Sequence, residues 1–234
     1  MVKYKKIANI LLKEIEEGLY NSVGKLPTEE QLVERFGVSK ATIRNAIDIL
    51  CNYGVVYQLQ GSGMFVRNHD RSDYLTLALQ RGLSSRYGDK DIHTQCLEFK
   101  EIQADEQLAE QMKCAVGTPL HYIERLRIVD GFYYSVEYTY YNKDIIPYLN
   151  KEIIESSIYK YIQEGLKLNI SFADKYITSD KLCKKDAGLL HLQEGDPALI
   201  INDIAYLSNG TIFNYSKVVH NYQKVTIFAM ANNI

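Results

Sequence analysis

The chain has 234 residues, 27 Lys and Arg against 29 Asp and Glu, with 46% hydrophobic and 24% charged residues. That composition excludes wholesale disorder, and a net charge of −2 excludes a uniformly basic nucleic-acid coat. The length suits one large or two ordinary domains, and the charge is uneven: residues 1–72 hold 10 basic and 8 acidic side chains, leaving 17 and 21 for the remainder.

No apolar run approaches the ~18–20 residues of a membrane helix. The N-terminus runs into an amphipathic pattern with Lys13, Glu14, Glu16 and Glu17, which no secretory leader would tolerate. A cytoplasmic protein with no membrane partner is expected. Cys51, Cys96, Cys114 and Cys183 lie at least 18 residues apart, which predicts reduced, mostly buried thiols. The five histidines are equally scattered. Neither a metal site nor a cofactor is expected.

Tyr4, Ile7, Ala8, Leu11 and Ile15 recur at helical spacing, predicting a helix over 4–17 that Gly18 ends. Thr28 and Gln31 have capping-box spacing, so a second helix starts there and stops near Phe36-Gly37. Ser39 is the expected N-cap of a third, with Ile43, Ala46, Ile47 and Leu50 as its apolar stripe. Two helices joined by Gly37-Val38-Ser39 have the spacing of a helix-turn-helix. The exposed first turns of the second of them carry Lys40, Thr42, Arg44 and Asn45, side chains that donate to phosphates or base edges. Val55–Leu59, the turn Gln60-Gly61-Ser62-Gly63 and Met64–Arg67 then predict a wing hairpin whose glycines let its tip approach DNA.

This N-terminal pattern resembles the DNA-binding domain of GntR-family bacterial transcriptional regulators. The likeness rests on Leu26-Pro27-Thr28-Glu29, Arg35-Phe36-Gly37-Val38-Ser39, Thr42-Ile43-Arg44, Gly54, Gly61-Ser62-Gly63 and Phe65-Val66. It implies DNA contacts from Ser39, Lys40, Thr42, Arg44 and Gly61, to which the residue types add Asn45 and Gln60. Glu30 stands where the family often has an Arg that grips the operator, and Lys40 and Gln60 replace common arginines.

Polar residues after 68 mark a boundary, giving a winged-helix domain over 1–68, an interdomain segment over 69–94 and a second domain over 95–234. There strands alternate with short helices: Cys96–Gln103, a helix over Asp105–Lys113, a hairpin of Leu120–Val129 and Phe132–Asn142 turning at Asp130-Gly131, and a helix over Ser157–Glu164. Ile170–Leu182, a helix over Lys184–Leu190 and the hairpin Ala198–Leu207 with Ile212–Asn221 complete it. Gly117-Thr118-Pro119 and Gly195-Asp196-Pro197 open two copies of a weak repeat, suggesting two halves of one mainly antiparallel sheet. The fold class is therefore α+β.

Arg125 and Arg127, two apart on a strand, project from one face. Paired guanidiniums suit an anion, although a solvated, salt-bridged sheet face has the same pattern. Glu137 joins them if the hairpin is bulged, as expected here. Ser157 and Tyr159 open a helix whose N–H groups can also hold an anion.

The second domain resembles the UTRA effector domain of the HutC subgroup, which shares the chorismate lyase fold. The matching stretches are Gly117–Leu120, Ile123–Arg127, Gly131, Val136-Glu137, Ser157–Tyr159, Leu192–Pro197 and Asn214–Ser216. The resemblance implies a pocket lined by Arg125, Arg127, Glu137, Ser157 and Tyr222, with Asn214 replacing a common Glu and so pointing away from an amino sugar. The reading is a regulator, expected to be a repressor, that grips a palindromic double-stranded operator as a homodimer and is released by a small anionic metabolite such as a sugar phosphate. No catalytic residues are expected. A lyase-like enzyme and a structural DNA-binding protein without effector are the rival readings.

Overall fold

The structure, a computed structural model, describes residues 2–67, 75–77 and 90–229. It divides into two compact units, Met1–Leu79 with Ile227–Ile234, and Gln80–Thr226. In the first, α1 (Lys3–Glu16), α2 (Glu29–Phe36) and α3 (Lys40–Asn52) precede the hairpin β1 (Val56–Leu59) and β2 (Gly63–Val66).

The local signals set these boundaries. Thr28 Oγ1 accepts from Gln31 N at 3.3 Å while Thr28 N donates to Gln31 Oε1 at 2.8 Å, so both side chains satisfy orphan donors of α2. Gly37 ends that helix at φ 61°, a left-handed conformation that favours glycine. Ser39 Oγ accepts from Thr42 N at 3.3 Å and starts α3. Leu11, Leu12, Leu32, Ile43, Ile47 and Leu50 close the core between the three helices. Arg35 of α2 ion-pairs with Glu14 of α1, to which the Tyr20 hydroxyl also donates at 2.6 Å. A two-residue strand, β3 (Leu75–Thr76), pairs in parallel with Ile227–Phe228. Ile227–Phe228, inside the span 95–234 expected for the second domain, thus groups with this unit.

The second unit is β4 (Ile92–Gln103), α4 (Glu106–Met112), β5 (Pro119–Val129), β6 (Phe132–Asn142), α5 (Lys151–Glu155), α6 (Ile158–Lys160), β7 (Ile170–Lys181), α7 (Lys184–Leu190), β8 (Pro197–Leu207) and β9 (Ile212–Asn221). The six long strands form one antiparallel sheet in the order β4-β5-β6-β9-β8-β7. Strand–helix–strand–strand occurs twice, and the two halves meet at the β6–β9 seam. Equivalent details recur: Lys113 and His191 end α4 and α7 at φ 48° and 56°, and Gly117 and Gly195 follow at φ 86° and 88°.

One sheet face packs Ile123, Tyr141, Ala205 and Phe213 under Ile154, Ile158 and Ile162 of the α5–α6 segment. The other is covered by α7 through Leu126, Val136, Ala187, Leu190 and Val219, and by α4 through Ala109, Met112, Leu120 and Ile212.

Several details differ from the sequence expectations. Strand β4 opens at Ile92 rather than Cys96, and α5 was not anticipated. The helix expected over Ser157–Glu164 is one short α turn followed by a π turn, Tyr161–Gly165. The cysteines are free, but Cys51, Cys96 and Cys114 are half-buried and Cys183 is exposed, not mostly buried. Most of the interdomain segment expected over 69–94 lies outside the described residues.

Candidate functional site

Two groups of polar residues are built by these elements. On the first unit, Ser39, Lys40, Arg44 and Asn45 are exposed on the first turns of α3, Thr42 is half-exposed, and Gln60 and Gly61 form the exposed wing tip. The Ser39 hydroxyl caps the helix and lies 2.9 Å from that of Thr42. Gly61 turns the tip at φ 76°.

The cations are not free. Lys40 Nζ lies 2.7 Å from Glu30 and 3.4 Å from Glu29, and Arg44 Nε donates to both Glu29 oxygens at 3.1 and 3.0 Å. The Glu30 bond raises the Lys40 pKa, and Lys40 in turn lowers that of Glu30. Exposed pairs of this kind are weak and screened by solvent. Glu29 and Glu30 of α2 thus supply the carboxylates that hold the two α3 cations. Such a pair between two helices has no sequence-local signal.

On the second unit, the β5–β6 hairpin does carry a bulge. Arg125 stands opposite Glu137 and Arg127 opposite Ser135, while Ile128 stands opposite Tyr133, so Tyr134 is the additional residue. Asp130-Gly131 remains a tight two-residue turn, and the bulge behind it brings Glu137 onto the arginine face. Arg125 Nη2 lies 2.6 Å from Glu137 Oε2, and Arg127 Nε lies 3.0 Å from Oε1. Arg127 Nη1 also donates to Thr94 Oγ1 on β4, and Arg125 Nη1 to the Ile154 carbonyl of α5 at 3.1 Å.

All three side chains are buried: Arg125 is 6%, Arg127 4% and Glu137 9% exposed. Burial alone pushes the Glu137 carboxyl up, but the adjacent Arg125 and Arg127 outweigh it and hold it down at about 2. Burial and the charge of Arg125 push Arg127 down, and Glu137 offsets only part of this. Two guanidiniums therefore share one carboxylate, leaving a surplus positive charge in a desolvated place. Arg125 Nε and Ser135 Oγ are buried with no hydrogen-bond partner among the described residues. This arrangement can hold an anion, not merely decorate a solvated sheet.

The same face continues across the seam. Thr139 stands opposite Ser216, and Ser216 opposite Asp203, which pairs with Lys175 on β7. Asp203 occupies the place in the second half that Arg125 has in the first. Thr94, Ser135, Thr139 and Ser216 were missed by sequence reasoning; steps of two from Glu137 would have found Ser135 and Thr139.

The other expected effector residues fare unequally. Tyr159 sits edge-on to Phe213 and close enough to Arg125 to act on its charge. The Ser157 hydroxyl is engaged as an N-cap, accepting from Lys160 N at 3.3 Å. Asn214 is fully buried, and its amide nitrogen donates to the carbonyls of Tyr140 and Tyr215 at 3.1 and 3.2 Å. That nitrogen is thus engaged with backbone on its own strand and on β6. Tyr222 lies past the end of β9, 38% exposed, with its hydroxyl accepting from Gln223 at 3.0 Å. The contacts of Tyr222 do not bring it to the arginine pair.

Residues 3–66 match the bacterial regulatory proteins of the gntR family and residues 88–226 match the UTRA domain. The HTH-type transcriptional regulator YydK of Bacillus subtilis is 35% identical over 233 residues, covering 100% of this chain and 99% of its own. The chain belongs to the GntR family and carries a UTRA domain. The crystal structure of YydK superposes on this GntR-family protein with a TM-score of 0.80 over 99% of the chain and 100% of YydK. The HTH-type regulator TreR of Bacillus subtilis is 28% identical over 94% of the chain and 92% of its own length. The TreR effector-binding domain, 27% identical, matches 60% of the chain and 98% of its own at a TM-score of 0.54. These relatives are transcriptional regulators, so the lyase-like reading is set aside: this is a GntR-family transcriptional regulator with a DNA-binding head and a UTRA effector domain. Among the described residues no helix is long and apolar enough to cross a membrane.

Proposed function

We propose that this regulator represses transcription in the cytoplasm by gripping a palindromic operator as a homodimer, and is released when a small anionic metabolite, a sugar phosphate, binds the UTRA domain. Ser39, Lys40, Thr42, Arg44 and Asn45 meet the major groove and its phosphates, while Gln60 and Gly61 bring the wing tip to the backbone. One such head buries too little surface for tight binding, so two heads on two half-sites are needed. The relatives fit this picture: one is named the trehalose repressor, and another the mannosyl-D-glycerate transport/metabolism system repressor of Escherichia coli.

The single observation carrying the effector assignment is the surplus charge of Arg125 and Arg127 over Glu137. A phosphate takes up the unmatched guanidinium capacity, Glu137 accepts from a sugar hydroxyl, and Tyr159 closes beside Arg125. Asn214 and Tyr222 have no direct role in this version. Release requires that the ligand favour a dimer whose heads are wrongly spaced for the operator, because only a difference in affinity between states shifts an equilibrium.

Calorimetric titration of the full chain with glucose 6-phosphate, inorganic phosphate and glucose tests the ligand class. Binding of the two phosphates but not of the neutral sugar supports it; glucose binding as tightly as its phosphate refutes it. Sedimentation then reports the oligomeric state, and a monomer at working concentration contradicts the dimer.

A further inference from the structure

The wing holds an arrangement that the contacts above do not use. The Gly24–Leu26 segment runs beside β2 as a third extended stretch: Leu26 N donates to the Met64 carbonyl at 2.9 Å and Val66 N to that of Gly24 at 3.0 Å. Lys25 stands opposite Phe65, and Phe65 stands opposite Tyr57 on β1. Opposed residues share a face, so these three side chains form one cross-strand row. The row is stacked. Lys25 Nζ lies 5.3 Å from the centre of the Phe65 ring, the Phe65 and Tyr57 rings are 5.5 Å apart and 22° from parallel, and the Arg67 guanidinium lies 5.6 Å from Tyr57. Two cations thus flank two aromatic faces, a placement the ring quadrupoles favour.

Gly63 explains where the lysine goes. It is two residues nearer the tip than Phe65 on the same strand, so a side chain there would share the row's face. A Cβ on Gly63 would fall 2.6 Å from Lys25 Cε and 3.1 Å from Nζ. The lysine therefore fills the space this glycine leaves, with its ammonium beside Gly63. The charge balance differs from that of α3. Lys40 and Arg44 are held by Glu29 and Glu30, whereas among the described residues no carboxylate ion-pairs with Lys25.

We propose that Lys25 is a DNA-backbone contact of the wing, its ammonium neutralising a duplex phosphate from the slot that Gly63 leaves beside Phe65. The contact acts on any sequence, because phosphate carries no base information. It is available at first encounter, before the α3 cations exchange their glutamates for DNA. The partner chemistry is a phosphodiester; the lysine stem supplies packing on Phe65, which methionine can also supply, while the charge serves the nucleic acid.

The test measures binding of the full chain to a mixed-sequence duplex by fluorescence anisotropy between about 50 and about 200 mM salt, for wild type, Lys25→Met and Lys25→Arg. Each lost phosphate contact lowers the slope of log affinity against log salt by about 0.9, so the deficit of Lys25→Met shrinks about 3.5-fold per bound head across that range. Lys25→Arg is expected to keep the wild-type slope. An unchanged slope in Lys25→Met overturns the proposal, as does a Lys25→Arg slope reduced as far as that of Lys25→Met, which would mean packing alone. Partial unfolding of a variant shifts the intercept and not the slope, and Lys25→Gln repeats the charge removal with a shorter stem.

Discussion

Replacing Glu137 with Gln removes the one carboxylate between two buried guanidiniums and leaves their repulsion uncompensated. The magnitude can be worked from the site. A fall of the carboxyl pKa from 4.5 to about 2 corresponds to about 3 kcal/mol in favour of the charged, paired state. Breaking a buried pair by removing one partner costs about 3–5 kcal/mol in general, which agrees. In a domain of this size each kcal/mol moves the unfolding midpoint by about 2–4 °C, so Glu137→Gln should melt about 6–12 °C lower. The assay is thermal unfolding of the full chain in chloride and in phosphate at matched ionic strength. Phosphate should recover more stability in the variant than in wild type, because the anion replaces the missing charge. A loss under about 2 °C, or equal phosphate effects on both proteins, would refute the reasoning that this cluster is an anion site short of negative charge.

The remaining expectations are briefer. Because Glu137 is depressed in the folded state, its contribution is fully present above pH 4.5 and is lost as pH falls through about 2; an acid titration of stability should show this arm in wild type and lack it in Glu137→Gln. Arg44→Ala should cost about 1–3 kcal/mol of operator affinity while phosphate binding, followed by calorimetry, stays unchanged. Glu30→Gln frees Lys40 from its nearest carboxylate and should tighten binding to mixed-sequence duplex; weaker binding would mean that Glu30 positions Lys40 for DNA instead of competing with it.

The first unit was legible in the sequence because its signals are local. The Thr28 and Gln31 capping box, the left-handed Gly37 and the Ser39 cap each depend on residues within three or four positions, and all three are present in the structure. In the second unit the alternation along β5 correctly put Arg125 and Arg127 on one face, and the repeat correctly anticipated two equivalent halves. What the sequence could not show was partnership across distance. The tie of Arg44 to Glu29 spans fifteen positions, and that of Arg127 to Thr94 spans thirty-three. Asn214, singled out by resemblance because it stands where relatives often carry Glu, shows the same limit: its amide nitrogen meets carbonyls on its own and the neighbouring strand. A buried amide reads the same in sequence whether it faces a sugar or the backbone.

The most direct measurement is operator release. Wild type and Arg127→Ala are bound to a labelled operator fragment and titrated with the sugar phosphate that calorimetry identifies, following dissociation. Wild type should leave the DNA as the ligand saturates, while Arg127→Ala should bind the fragment equally well and stay on it at every ligand concentration. If Arg127→Ala is released at the same concentration as wild type, the paired guanidiniums do not sense the metabolite and the assignment of this site is wrong.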